Sequence, residues 1–298
     1  MRSELATIPL RGPSGEPIDF RRLLSSHGVA SLAPNRVDER AWTLETTLEI
    51  AGRPRGVLLS EAPAGSVTVT VDGHLGAAAS GELLATVRRM LSLDEDLAPF
   101  YARAARDRAL AWAASGAGRM LRSPTVFEDV VKTICTTNCA WSATVRMTEA
   151  IVAGLGPSAG DGRHAFPTAA AMAQAPAGFY EEVARAGYRG RYLRSLAAAV
   201  AEGVIDLEAL RDPSLEDAEV ERRLLALPGV GPYAAAHVML TSLGRHGRLI
   251  LDSWTRPAYA RLAGRALDDA AIRRRFARYG RYAGLAFWLR VTEHWVSS

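Results

Sequence analysis

Two short stretches of this 298-residue chain carry residues whose types and spacing could do chemistry. The first is LLALPGVGPYAAAHVML, residues 224–240, where Pro228, Gly229, Val230 and Gly231 separate two apolar helical patterns. The helix before the turn is expected to end near Leu227, and Pro232 opens the next one at a position where its missing N–H costs nothing. Glycines admit positive φ and the close approach of another backbone. A helix start leaves N–H groups without partners at the positive end of the helix dipole. Such a turn is an anion site, and a phosphate suits it. The plain alternative is a helix–turn–helix corner that uses Pro and Gly only for the bend. The second stretch is RLILDSWTR, residues 248–256, where Asp252 follows a strand-like apolar run and begins a helix. Its carboxylate is placed to cap that helix, a role worth about 1 kcal/mol, or to serve a reaction. Both can hold at once, because a cap fixes the direction of the side chain. Pro257, five residues on, is awkward inside a first turn and is expected to bend the helix.

The supply of amines is narrow. Of 36 basic residues one is a lysine, Lys132, and 35 are arginines. With alanine and glycine also abundant, this reads first as the mark of a GC-rich genome. Any chemistry that needs a lysine amine has one candidate, whose plain reading is a surface or phosphate-contacting lysine. The net charge of +4 fits a polyanionic partner without requiring one. Cys135 and Cys139 are too few for a zinc site or an iron–sulfur cluster. They read as buried core thiols, and no metal held by side chains is expected. No run of 18 or more apolar residues is present, so no membrane span is expected. The opening MRSELATIPLRG lacks the apolar core of a secretory signal. A cytoplasmic location follows by default.

The elements that must position these residues divide into two kinds. In WTLETTLEI, residues Trp42, Leu44, Leu48 and Ile50 share a face, and in SVTVTVDG Val67, Val69 and Val71 alternate with polar residues. A period of two with one apolar face predicts half-buried strands. RGVLLSEA lies between them as a middle strand, and Phe20–Leu24 predicts a short helix on that sheet. From about Glu82 onward apolar residues recur at helical spacing. GPSAGDGRHAFPT, residues 156–168, is the clearest loop and is expected to link two helical lobes. The expected class is α+β: a small N-terminal antiparallel sheet with flanking helices over 1–112, then a helical core over 113–298. That core comprises a six-helix lobe at about 120–245 and C-terminal helices that pack back on it.

The hairpin resembles that of the helix-hairpin-helix (HhH-GPD) DNA glycosylase superfamily, in which LPGVG is followed by an extended segment and an aspartate. Asp252 stands at the aspartate position and Tyr233 where lyase members carry a lysine; their separation of 19 is similar to the family's. SPTVFEDVVKTICTTNCAW resembles the helix before the family's DNA-wedge loop, with Asn138 at the wedge position. GYRGRYLRSLA, residues 187–197, and Asn138 are similar to 8-oxoguanine glycosylases. RYAGLAFWLRVTEHW and the run from Leu23 to Leu59 resemble the 3-methyladenine DNA glycosylase II type instead. In that type a tryptophan at the Trp288 position lines the base pocket, and Phe287 replaces the glutamine of the 8-oxoguanine type.

The resemblance implies a DNA glycosylase of base-excision repair acting on duplex DNA with a damaged base. Cleavage of an N-glycosidic bond builds positive charge on the sugar. A fixed carboxylate, here Asp252, stabilises that charge and takes a proton from the attacking water. Tyr233 cannot form the Schiff base of the bifunctional enzymes, so a monofunctional, water-using enzyme is expected. Asn138 would fill the gap left by the flipped base. Pro228, Gly229, Val230 and Gly231 would hold a DNA phosphate, and Tyr233, His237, Trp254 and Trp288 would line the base pocket. Each of these four could equally be core packing. Aromatic rings suit cationic alkylated bases, whereas an oxidised base needs a specific hydrogen-bonding set. No cofactor and no iron–sulfur cluster are expected; family analogy allows a monovalent cation on the hairpin's backbone carbonyls. A monomer, associated with the nucleoid if bacterial, is the expected form. The rival readings are an 8-oxoguanine-type glycosylase and a non-catalytic helix-hairpin-helix DNA-binding protein.

Overall fold

A computed structural model describes residues 2–296. Five strands form one antiparallel sheet: β1 (Arg2–Pro9), β2 (Arg36–Asp38), β3 (Thr43–Ile50), β4 (Arg53–Ala62) and β5 (Ser66–Asp72), in the order β1-β5-β4-β3-β2. The helices in chain order begin with α1 (Phe20–Leu24), α2 (Ala77–Met90), α3 (Ala98–Ala104), α4 (Val126–Thr136), α5 (Trp141–Leu155) and α6 (Ala169–Ala173). They continue with α7 (Arg189–Ala201), α8 (Asp217–Leu225), α9 (Pro232–Thr241), α10 (Thr255–Ala263), α11 (Asp269–Phe276) and α12 (Ala283–Thr292). Among the described residues no helix is long and apolar enough to cross a membrane.

Leu44, Leu48 and Ile50 of β3 share the buried face of the sheet with Val67, Val69 and Val71 of β5, and α1 and α2 pack on it through Phe20, Leu23, Leu83 and Val87. Two strands, β1 and β2, lie outside the sequence expectation. A register shift between Glu4 and Ala6 breaks the alternation of β1, and most of that edge strand is solvent-facing. β2 has three residues, too few to show a period.

Helices α4 to α9 share a second core. α3, α10, α11 and α12 form a third, against the other face of α9 at Ala236 and Leu240. Leu97, Phe100 and Tyr101, which the sequence groups with the sheet, belong to this third core. The 97–114 segment is α3 followed by turns and a 3-10 turn at Ala111–Ser115, rather than one continuous helix. The 156–168 loop joins α5 to α6 within the second core, and so is not a link between lobes. Its Arg163 pairs instead with Asp72 on β5 and Glu45 on β3, fastening the helical part to the sheet.

Candidate active site

The hairpin is built as the residue types demand. α8 ends at Leu225, and the Val230 N–H donates to the Leu227 carbonyl across the turn at 3.2 Å. Gly229 has φ +79, and a Cβ there would come 2.9 Å from the Tyr192 Cβ. Both the backbone conformation and the space therefore require glycine. Val230 is buried in the second core and anchors the turn, whereas Gly231 is exposed. Gly231 precedes α9, whose first-turn N–H groups have no intrahelical acceptor.

Asp252 is held from both sides. Its Oδ1 accepts from the N–H groups of Trp254 (2.9 Å) and Thr255 (2.6 Å), while its own N–H donates to Thr255 Oγ1 (2.9 Å). This reciprocal cap starts α10 and fixes the carboxylate; among the described residues Oδ2 accepts no hydrogen bond. The extended run before it is clamped on α12, where the Gly284 N–H donates to the His246 carbonyl at 2.7 Å. A Cβ at Gly284 would lie 2.0 Å from the Arg248 carbonyl oxygen, so this close approach also needs glycine. Pro257 is the third residue of α10 and does not bend it. The Arg256 N–H already donates to the Asp252 carbonyl at 3.2 Å and the Ala258 N–H to the Trp254 carbonyl at 3.2 Å, so the proline forfeits one bond, to the Ser253 carbonyl, at the exposed start of the helix.

Asp252, Tyr233, Asn138 and the hairpin residues Gly229, Val230 and Gly231 line one cleft of about 870 Å³. Pro228 lies at the turn beside it, half-buried. Tyr233 shares a hydrogen bond of 3.2 Å with Thr136 at the end of α4. Burial pushes its phenol up, with the nearby Asp252 charge acting in the same direction, so it remains a neutral hydroxyl at physiological pH. Asn138 follows α4 with φ +48, a left-handed conformation that asparagine tolerates. It is exposed, and its Nδ2 donates to Tyr188 Oη at 3.2 Å.

The other expected pocket residues lie outside this cleft's lining. His237 is buried behind Tyr233, with ring centroids 5.8 Å apart, and meets His27 edge-on at 5.7 Å. The hydroxyl protons of Thr133 and Thr241 go to backbone carbonyls at 2.7 and 2.9 Å. Their oxygens therefore accept from His237 Nδ1–H, at 3.5 and 3.4 Å. Burial drives the His237 pKa down to about 3, so the ring is neutral. Trp254 and Trp288 form a cluster with Trp295, with centroids 5.4 to 5.9 Å apart. Trp288 Nε1–H donates to the Ser26 carbonyl at 2.8 Å. Phe287 is fully buried between Tyr259 and Phe276.

Lys132 corrects an expectation. It is not on the surface, but wholly buried and paired with Glu128 at 2.6 Å. Burial pushes the Glu128 carboxyl up, and the Lys132 charge opposes that shift. Cys135 is a core thiol that burial pushes up to about 12, and Cys139 is half-buried.

Sequence reasoning does not reach Tyr188, Tyr192, Thr136 and His27. Tyr188 is 48% exposed at the cleft, with the Arg189 guanidinium over its ring. The segment 187–197 stands out in the sequence, so a signal exists for both tyrosines. His27 has none, because its neighbour His237 is 210 residues away.

No protein-family model and no curated protein matches the chain. Solved structures do. A 3-methyladenine DNA glycosylase from Archaeoglobus fulgidus superposes over 100% of this chain and 99% of its own, with a TM-score of 0.71 at 21% identity. The 8-oxoguanine glycosylase/lyase of Clostridium acetobutylicum, in its apo form, covers 98% of each chain with a TM-score of 0.73 at 18% identity. The same enzyme bound to double-stranded DNA containing cytosine opposite 8-oxoguanine gives 0.72 at 19% identity, over 98% of this chain and 96% of its own. At these identities the likeness establishes the fold: the α+β architecture of these DNA glycosylases, over the whole chain.

Proposed function

We propose that this protein is a monofunctional DNA glycosylase that releases a damaged base, alkylated rather than oxidised, from duplex DNA. The observation that carries the reading is the convergence of Asp252, Tyr233 and the Gly229–Gly231 turn on one cleft, with the sole lysine sealed away in an ion pair. The hairpin amides take a DNA phosphate and set the register of the duplex. Asn138, beside Tyr188, enters the gap as the target base leaves the stack. Asp252, its direction fixed by the cap, stabilises the positive charge developing on the sugar and accepts a proton from the attacking water. Tyr233 offers a neutral ring and hydroxyl where an amine would form a Schiff base. With Lys132 out of reach, the product is an abasic site rather than a nick. No step calls for a cofactor.

The alkylated class is favoured by what surrounds the cleft. Tyr233 lines it, and Trp254, 39% exposed, stands two residues from Asp252 with Trp288 and Trp295 behind. Electron-rich rings attract a cationic base. The side chain at position 287 is a buried phenylalanine that offers no hydrogen bond to an oxidised base.

The test is incubation with duplexes carrying 3-methyladenine, 7-methylguanine, hypoxanthine or 8-oxoguanine, with and without hot alkali, beside Asp252→Asn. Strand breaks from methylated DNA only after alkali, reduced about 10²- to 10³-fold in the variant, are the expected result. Asparagine caps a helix as well as aspartate does, so the variant tests chemistry rather than folding. Release of 8-oxoguanine alone would move the substrate to the oxidised class. Full activity of the variant would overturn the role of Asp252.

A further inference from the structure

The charge of the chain is unevenly spread. Residues 253–298 hold nine arginines and three carboxylates, a net of +6, while the whole chain carries +4. Residues 1–252 are therefore net −2. The fold gathers the excess on one face. Arg256 pairs with Asp269 at 2.8 Å and holds the start of α10 against the start of α11. The chain after α3 joins them, since Arg103 donates to the Arg278 carbonyl at 3.2 Å and Arg278 pairs with Asp107.

Some exposed arginines elsewhere are engaged with carboxylates, as Arg222 and Arg223 share Glu219 and Arg248 meets Glu221. Others, Arg36, Arg53, Arg146 and Arg185 among them, make no ion pair among the described residues but stand on separate segments of the chain. On the C-terminal face Arg106, Arg108, Arg261, Arg265, Arg274 and Arg275 are exposed and, among the described residues, make no ion pair. Arg275, Arg278 and Arg290 also line a pocket of about 250 Å³ in which Asp107 is the one carboxylate. Like charges held this close repel one another, and a polyanion relieves that repulsion.

We infer that this face, from α10 across α11 to the end of α3, binds the phosphate backbone of a nucleic-acid segment lying beyond the cleft. It rests on the DNA reading above for its direction: α10 starts three residues after Asp252, and its 9 residues rise about 13 Å away from the cleft. A duplex seated at the hairpin and continuing along α10 meets the arginines in turn. Such contacts add affinity without reading sequence.

The test is the salt dependence of binding to an undamaged duplex, followed by fluorescence anisotropy from about 50 to 200 mM salt. The triple variant Arg265→Gln, Arg274→Gln, Arg275→Gln removes three exposed charges and no ion pair. The slope of log affinity against log salt is expected to fall by about 0.9 for each phosphate that is no longer neutralised. The preference of the wild type for a long duplex over one that spans the cleft alone should shrink with it. Thermal melting checks that the variant is folded. An unchanged slope, or loss of binding to anionic vesicles with DNA binding intact, would overturn the inference. Base release reports separately on the cleft, so an inactive wild-type protein that keeps this slope would sink the glycosylase reading alone.

Discussion

Helices α4 and α9 lie antiparallel, and the two ends of the pair treat polar groups in opposite ways. At the cleft end Thr136 and Tyr233 meet as hydroxyls, Asn138 is exposed, and Asp252 keeps one carboxylate oxygen without a partner. From Glu128 to Lys132 the same α4 buries its charges: Lys132 on Glu128, and the Asp129 carboxylate on the Ser123 N–H. Charge alone therefore does not mark the cleft end. What distinguishes it is that its groups are left incompletely satisfied and within reach of solvent. A buried, paired lysine is structure, whereas a half-exposed aspartate fixed by one oxygen is available for chemistry.

Breaking the buried end should produce the largest effect. Lys132→Ala leaves Glu128 as an uncompensated buried charge and is expected to lower stability by about 3–5 kcal/mol in chemical denaturation. Replacing both partners, as Lys132→Met with Glu128→Leu, should restore most of that loss. Base release per folded molecule should be unchanged in the double variant. If release vanished while the fold survived, the contrast between the two ends would collapse.

At the hairpin, Gly229→Ala drives a Cβ against Tyr192 in a positive-φ backbone. We expect a loss of about 1–3 kcal/mol from overpacking, with weaker DNA binding of every sequence. Gly231→Ala, where a Cβ meets nothing within 4 Å, is the control and should stay close to wild type in stability.

The third effect sharpens the contrast through pH. His237 has a folded pKa of about 3 against an ordinary 6.5, so between these values the unfolded chain binds a proton that the fold excludes. Stability is full above pH 6.5 and falls as pH drops, by about 1.4 kcal/mol per unit, or about 2 kcal/mol at pH 5. Denaturation midpoints at pH 7 and pH 5 measure this. His237→Gln should narrow the difference without abolishing it, because burial also lowers the His27 pKa. An undiminished difference in the variant would mean that His237 is not the excluded proton site.

Much of this is legible in the sequence because it rests on local rules. The two-residue period marks β3 and β5, β4 is read from its place between them, and Pro and Gly mark the hairpin. The 19-residue separation ties Tyr233 to Asp252, and the fold brings both to one cleft. What is not legible depends on tertiary neighbours. Glu128 and Lys132 are polar letters on α4, yet the helix is buried almost all round, and an ion pair in a core looks like a wet face in sequence. The third core recruits α3 across more than 130 residues, and Arg163 in an ordinary-looking loop reaches back to the sheet. The effect of Pro257 depends on where α10 starts, and that is set by the Asp252 cap.

Trp254, Trp288 and Trp295 are three of only six tryptophans in the chain; their ring centroids lie within 6 Å of one another, and the Trp254 N–H donates to Asp252 Oδ1. The protein consequently carries its own optical reporter. Excitation shared among three neighbouring indoles is sensitive to small changes in their mutual angles. One member, Trp254, is exposed two residues after Asp252, and another is tied to the Ser26 carbonyl in the N-terminal part of the chain. Emission from this trio would register any shift of the Asp252 turn and any loosening of the N-terminal part, with no label added.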